Sequence, residues 1–148
     1  MIMQFNKFNI FKQMLVYTSY FGNIKNILKI FPDSCLISIA GKTPDWFVGE
    51  KCKKLMPLYE WWIQWHTMFK SNLDSEASKN WYIDKYSTTV LSHIDVQDII
   101  QELNELASKR CPIFLLCYET PDRFCHRHIV AQWLQSHGIL CKELKNEN

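Results

Sequence analysis

Residues 111–119, "CPIFLLCYE", form an almost unbroken apolar run. At this length it cannot span a membrane, which needs about 20 apolar residues. It also lacks the alternation of a strand with one wet face. A short continuous run of this kind marks a central strand covered on both sides, and so a parallel sheet with helices above and below. The flanking sequence agrees. "LVYTSYF" (15–21) reads as a strand closed by Gly22 and Asn23. "NIKNILKIF" (23–31) places Ile24, Ile27, Leu28 and Phe31 at helical spacing and stops before Pro32. "SCLISIA" (34–40) is a second strand ended by Gly41. Strand, helix and strand in so short a span form a βαβ unit, which predicts parallel pairing through a right-handed crossover.

Further along, Asp95 caps a helix whose Val96, Ile99, Ile100, Leu103 and Leu106 make one stripe. A helix from Cys125 runs to Gly138, its C-terminal cap, and "ILCKEL" (139–144) is a last strand. Between Lys42 and His93 the pattern changes. "GKTPDWFVGEKCKKLMP" has the turn signals of a long loop, and "LYEWWIQWHTMFK" and "NWYIDKYSTTVLSHI" are helix-compatible and rich in Trp and Tyr. The expected fold is a small Rossmann-like α/β three-layer sandwich, with a mostly parallel sheet and a Trp-rich helical insertion at about 42–93.

The 148 residues suit one domain, and 47% hydrophobic with 22% charged residues is globular composition. A net charge of +2 does not announce nucleic acid as the partner. "MIMQFNKFNIFKQ" mixes Asn, Gln and Lys into its hydrophobes, unlike a secretory signal. Of six cysteines, Cys35, Cys111, Cys117 and Cys141 lie in or beside strand-like runs, where buried free thiols are common. The expectation is a reduced, cytoplasmic protein with no membrane partner.

Ligands of open parallel sheets bind beyond the carboxyl ends of the strands. Those ends carry Thr18, Ser19 and Tyr20; Ser38, Gly41 and Lys42; and Cys117, Tyr118 and Glu119. The third leads straight into "LLCYETPDRFCHRHIVAQWL" (115–134). On a wheel of about 100° per residue, Ile129, Val130, Trp133 and Leu134 define a buried face with His126 in its middle. Cys125 and Arg127 flank that face, and His128 points to solvent.

Several chemistries compete for the cluster. A zinc set of Cys117, Cys125, His126 and His128 is disfavoured, because the two imidazoles project about 200° apart. Cys117 and Arg123 stand as C-x5-R, yet "YETPD" has two carboxylates and no glycine, the opposite of a phosphate cradle. Neither a metal nor a cofactor is therefore expected. A polar site of Glu119, Cys125, His126 and Arg127 fits better. A cysteine in the first helical turn beside an arginine favours thiolate. Arg127 can fork a carboxylate or phosphate, and Glu119 can act as base, nucleophile or ribose-hydroxyl acceptor. The competing reading is a buried His–Glu–Arg network pinning helix to sheet.

The insertion carries Trp46, Phe47, Tyr59, Trp61, Trp62, Trp65 and Phe69 among Lys42, Lys51, Lys53, Lys54 and Lys70. Such rings can stack bases, although aromatic clusters more often pack. Trp61 and Trp62 are about 100° apart on a helix, so at least one of the rings in "WWIQW" should line a groove or an interface. Folded over the strand ends, the insertion would be a lid that stacks on a ring-bearing ligand. His66 and His93 read as boundary residues.

The stretch 115–134 resembles the signature of the family called domain of unknown function 488 (DUF488), a strand ending in Cys-x-Glu, a short loop, then Cys-His-Arg opening a helix. Cys117, Glu119, Cys125, His126 and Arg127 match it. "YTSYFGNIKNI" and "SIAGKTPDWFVG" are similar to its shorter members, so the likeness runs from about Leu15 onward. Those members begin near a Met-x-Tyr-Thr start, which implies a domain over 15–148 after an N-terminal extension of residues 1–14, with Met14 the natural initiator. Arg123 replaces an acidic position of close relatives. The resemblance implies architecture and site residues and no reaction.

The resulting expectation is an enzyme or ligand-binding domain for a small-molecule, nucleotide-like or nucleic-acid-derived ligand. Glu119, Cys125, His126 and Arg127 form its reactive set. Ser19, Tyr20, Ser38, Lys42 and Cys117 contribute from the strand ends, and Trp46 stacks. The alternative is a non-catalytic nucleic-acid-binding or regulatory module in which Cys-His-Arg is structural. Oligomeric state is left open.

Overall fold

Strand β4 (Ile113–Cys117) sits at the centre of the molecule with every residue buried, as its uninterrupted apolar sequence requires. It belongs to a computed structural model that describes residues 14–145. β1 (Val16–Tyr20) and β2 (Cys35–Ser38) flank β4, and β3 (Glu50–Lys51) and β5 (Cys141–Glu143) form the edges. The order is β3-β2-β4-β1-β5 and every pairing is parallel.

Two expectations about the sheet change. β1 and β2 share the sheet but do not pair, because β4 lies between them, with Ile113 in register with both Val16 and Cys35. A crossover requires only that its strands be parallel in one sheet; the most apolar strand took the position covered on all sides. In addition, the expected loop after β2 contains β3, with Glu50 opposite Ile37 and Lys51 opposite Ser38. Two charged residues carry no alternation to read, and such a short charged edge also discourages further pairing.

Successive side chains of β4 enter different layers. Phe114 and Leu116 pack with Phe21, Ile27 and Leu36 under helix α1 (Ile24–Ile30). Ile113 and Leu115 face the larger core built by α2 (Tyr59–Phe69), α3 (Glu76–Thr89), α4 (Val96–Ala107) and α5 (His126–Ser136). These are the three layers expected. Asp95 caps α4 by accepting the Gln97 N–H at 2.7 Å, and Ile99, Ile100, Leu103 and Ala107 form its buried stripe. Gly138 ends α5 at φ +82°, where a side chain would be strained. α3 begins a turn earlier than its aromatic pattern suggests, because Ser75 caps it through the Ser78 N–H at 3.1 Å.

The insertion is anchored by rings with polar handles. Trp65 donates Nε1–H to Ser78 Oγ at 2.7 Å, and the Tyr86 hydroxyl donates to the Leu55 carbonyl at 2.6 Å. All six cysteines are free; five are buried, whereas Cys111, expected among the buried ones, is exposed at the approach to β4. Met14 is buried in the main core, and the rest of the proposed N-terminal extension lies outside the described residues. Among the described residues no helix is long and apolar enough to cross a membrane.

Candidate functional site

β2 and β4 are neighbours, and the chain leaves them in different directions, which opens a crevice at their carboxyl ends. A cavity of about 390 Å³ fills it. Its buried lining includes Cys117, the last residue of β4, and Cys125 and His126 at the start of α5. Cys125 is the N-cap residue, but its sulfur makes no capping bond and stays available to the cavity.

His126 is oriented from outside the cluster. Its Nε2 lies 2.6 Å from the Ile39 carbonyl oxygen, which can only accept, so Nε2 carries a proton. Nδ1 is thereby turned to the sulfurs, 3.6 Å from Cys117 Sγ and 3.9 Å from Cys125 Sγ. The imidazole faces inward beside the end of the central strand, as the helical wheel predicts. His128 does not reach solvent as expected: it is half-buried, and its Nε2 is covered without a hydrogen-bond partner. A wheel reports directions around one helix and cannot see what packs on it from elsewhere.

The two thiols titrate in opposite directions. The Cys117 pKa is pushed well up, by its hydrogen bond to Cys125 and by burial. Burial would raise Cys125 too, but the bonds from Cys117 and His126 and the charges of His126 and Arg127 outweigh it and hold the group well below the ordinary thiol range. Of the pair, Cys125 is the more acidic thiol and Cys117 the less acidic.

Arg127 faces away from the cavity. Fully buried, it donates Nε–H and Nη2–H to the two Glu143 carboxylate oxygens at 3.0 and 2.8 Å, and Nη1–H to the Glu119 carbonyl. Thr18 adds a 2.6 Å bond to Glu143. Desolvation opposes the guanidinium charge, but the bond to Glu143, together with the nearby Cys125, Glu143 and Cys117, more than offsets it and the Arg127 pKa stays raised. The carboxylate that Arg127 forks is the protein's own, which corrects the expectation that it grips a ligand.

Other expected contributors divide by position. Lys42 and Glu119 line the cavity at its more exposed side. Ser19 is buried and accepts from Asn23 Nδ2 at 3.0 Å, and Ser38 bonds Thr43 Oγ1 at 2.7 Å to shape the turn after β2. Neither lines the cavity, and nor does Tyr20. Knowing that strand ends bind ligands does not say which neighbouring pair of ends opens. Trp46 is 63% exposed and meets Phe21 edge-on, on the α1 side of the sheet. Four of the six rings that reach the cavity come from helices of the opposite layer.

The six rings are Tyr59, Trp62 and Trp65 of α2, Tyr82 of α3, and Tyr118 and Phe124 from the loop between β4 and α5. Trp61 is 9% exposed and Trp62 45%, so the adjacent pair splits between core and groove as its spacing demands. Trp62 lies parallel to Tyr59 with centroids 5.7 Å apart. Trp65 is fixed edge-on against Tyr82 at 5.0 Å. The Tyr118 hydroxyl donates to the Lys42 carbonyl, tying together the loops after β4 and β2. Tyr118 lies at a strand end, where its position already pointed to the site, whereas for Tyr82 and Phe124 only aromaticity hints at it.

The divergence of His126 and His128 does remove the four-ligand zinc set. It leaves a smaller set untouched: the ligand atoms of Cys117, Cys125 and His126 all lie within 4.8 Å of one another.

Fold and site define a Rossmann-like α/β protein whose cavity at the strand carboxyl ends has a cysteine–histidine floor and aromatic walls. More particularly, the chain belongs to the DUF488 family: a family model described as the active DUF488-N3 subclade matches residues 41–138. Comparisons with curated proteins and with solved structures find no match.

Proposed function

We propose that this protein binds a small ring-bearing ligand of nucleotide type in the cavity at the ends of β2 and β4, and acts on it by hydrolysis or group transfer. The observation that carries this reading is the half-exposed Trp62 ring, backed by Tyr59, in the wall of a cavity floored by Cys125 and His126. A flat ring stacks on Trp62. Lys42 on the exposed side suits a phosphate, and Glu119 suits a sugar hydroxyl or a proton in transfer. The volume of about 390 Å³ falls within the usual range of small-molecule sites.

The structural reading of the cluster is favoured for one residue. Arg127 spends its fork on Glu143 and acts as a lock, while Cys125 and His126 border the cavity. The deciding experiment is a thermal-shift and calorimetric screen of nucleosides, nucleotides and short oligonucleotides. Turnover of any ligand that binds is then followed by chromatography for the native chain and Glu119→Gln. Saturable nucleotide binding, with turnover lost in a folded Glu119→Gln, supports the proposal. Salt-dependent oligonucleotide binding with no small-molecule ligand would replace it with the nucleic-acid-binding reading.

A further inference from the structure

We propose that Cys117, Cys125 and His126 hold a zinc ion at the floor of the cavity, with its fourth coordination position open to the cavity. The inference rests on these three side chains and does not depend on the nucleotide reading.

Geometry is the first support. Tetrahedral zinc, with bonds of about 2.05 Å to nitrogen and about 2.3 Å to sulfur, keeps those donors about 3.6 Å apart. His126 Nδ1 stands 3.6 Å from Cys117 Sγ and 3.9 Å from Cys125 Sγ, and no pair among the three ligand atoms exceeds 4.8 Å. Both nitrogen–sulfur separations are already within about 0.3 Å of that value, and the two sulfurs, which zinc would hold about 3.8 Å apart, need to close by at most about 1 Å to share the ion.

Orientation is the second. Metal-bound histidines characteristically donate their other ring N–H to a carbonyl or carboxylate, which sets tautomer and ring plane. The Ile39 carbonyl does this for Nε2 at 2.6 Å and leaves Nδ1 aimed at the sulfurs. The ligands come from a strand end and a helix start, so the scaffold holds them close together before any ion arrives.

Donor chemistry selects the ion. Two thiolates and an imidazole suit zinc, whereas magnesium and calcium want oxygen. Two thiolates also cancel the charge of a divalent ion, so the buried centre is neutral overall. The nearby Arg127 charge is already met by Glu143. Three protein ligands with a fourth position facing a cavity is the arrangement of reactive rather than purely structural zinc.

The test uses the full chain purified under reducing conditions. Metal content is measured by mass spectrometry, followed by zinc titration against a competing chelator and by cobalt substitution. About one zinc per chain is expected, and cobalt should give thiolate charge-transfer and tetrahedral ligand-field bands. Cys125→Ser and His126→Ala should each weaken zinc by more than the roughly 10–100-fold that follows loss of an outer-shell partner. Cys111→Ser, at an exposed thiol away from the cavity, should bind like the native chain. Circular dichroism identifies any variant that fails to fold, and the cobalt spectrum of the native chain decides independently of every variant. A reduced, folded native chain that takes up no zinc, or a cobalt complex without thiolate bands, would overturn the inference. So would undiminished zinc binding by a folded Cys125→Ser. Nucleotide binding measured on chelator-treated protein reports on the function proposal separately.

Discussion

Arg127 and Glu143 form a two-bond fork between the first turn of α5 and edge strand β5, with the guanidinium side chain fully buried and the carboxylate 17% exposed. The asymmetry predicts unequal costs. Glu143→Leu strands a charged guanidinium in the interior, so its cost should approach the ~3–5 kcal/mol typical of a broken buried pair. Arg127→Met leaves a carboxylate that can still reach water and keeps its bond from Thr18, so it should cost clearly less. Chemical denaturation of both variants checks the order; equal losses would contradict the lock.

Trp62 should matter for ligand and little for stability. Its ring is half-exposed and its main neighbours are Tyr59 and His66 on its own helix. Trp62→Ala should lower stability by less than about 1 kcal/mol. Loss of a stacking platform worth ~1–3 kcal/mol should weaken a nucleotide-type ligand by roughly 5- to 150-fold. Calorimetry with whichever nucleotide binds the native chain gives the answer, and unchanged affinity would place the ring elsewhere.

Alkaline stability should fall because of two thiols outside the cavity. Burial, aided for Cys52 by its bond to Glu102 and for Cys141 by the charge of Glu143, pushes both from an ordinary 9.0 up to about 12. The unfolded chain then releases these protons at lower pH than the folded one. Their contribution is fully present below pH 9 and declines as pH rises through about 12. Unfolding free energy measured between pH 8 and pH 11 should slope downward, and more shallowly in Cys52→Ala. Parallel slopes would remove Cys52 from the account.

Asp95 caps α4 from an exposed position through its bond to the Gln97 N–H. Asp95→Ala should cost ~1 kcal/mol, and Asp95→Ser or Asp95→Asn should restore most of it. Thermal denaturation of the three variants tests this; a loss in Asp95→Ala that Ser and Asn fail to recover would point to charge and not capping.

How far the chain could be read depends on the range of each signal. The buried central strand, the α4 stripe, the Asp95 and Gly138 caps and the inward turn of His126 are local. Periodicity and turn chemistry act within a few residues, so spacing alone reveals them. β3 escaped because two charged residues form a strand only when β2 supplies the partner. A rule about strand ends points to Ser19 and stacking chemistry points to Trp46, but Ser19 is taken up by Asn23 and Trp46 packs on Phe21, both outside the cavity.

What sequence determined by itself, then, is a parallel α/β sandwich with reactive side chains gathered where β4 passes into α5. Only the tertiary structure decided their division of labour. Arg127 turned to Glu143, Cys117 and Cys125 converged on His126, and Trp62 and Tyr59 were carried over the same cavity from a separate layer. The physical reason is that each of these contacts joins segments brought together by strand order and helix packing. Local pattern sets which way a side chain leaves its own backbone, and only the fold sets what stands in front of it.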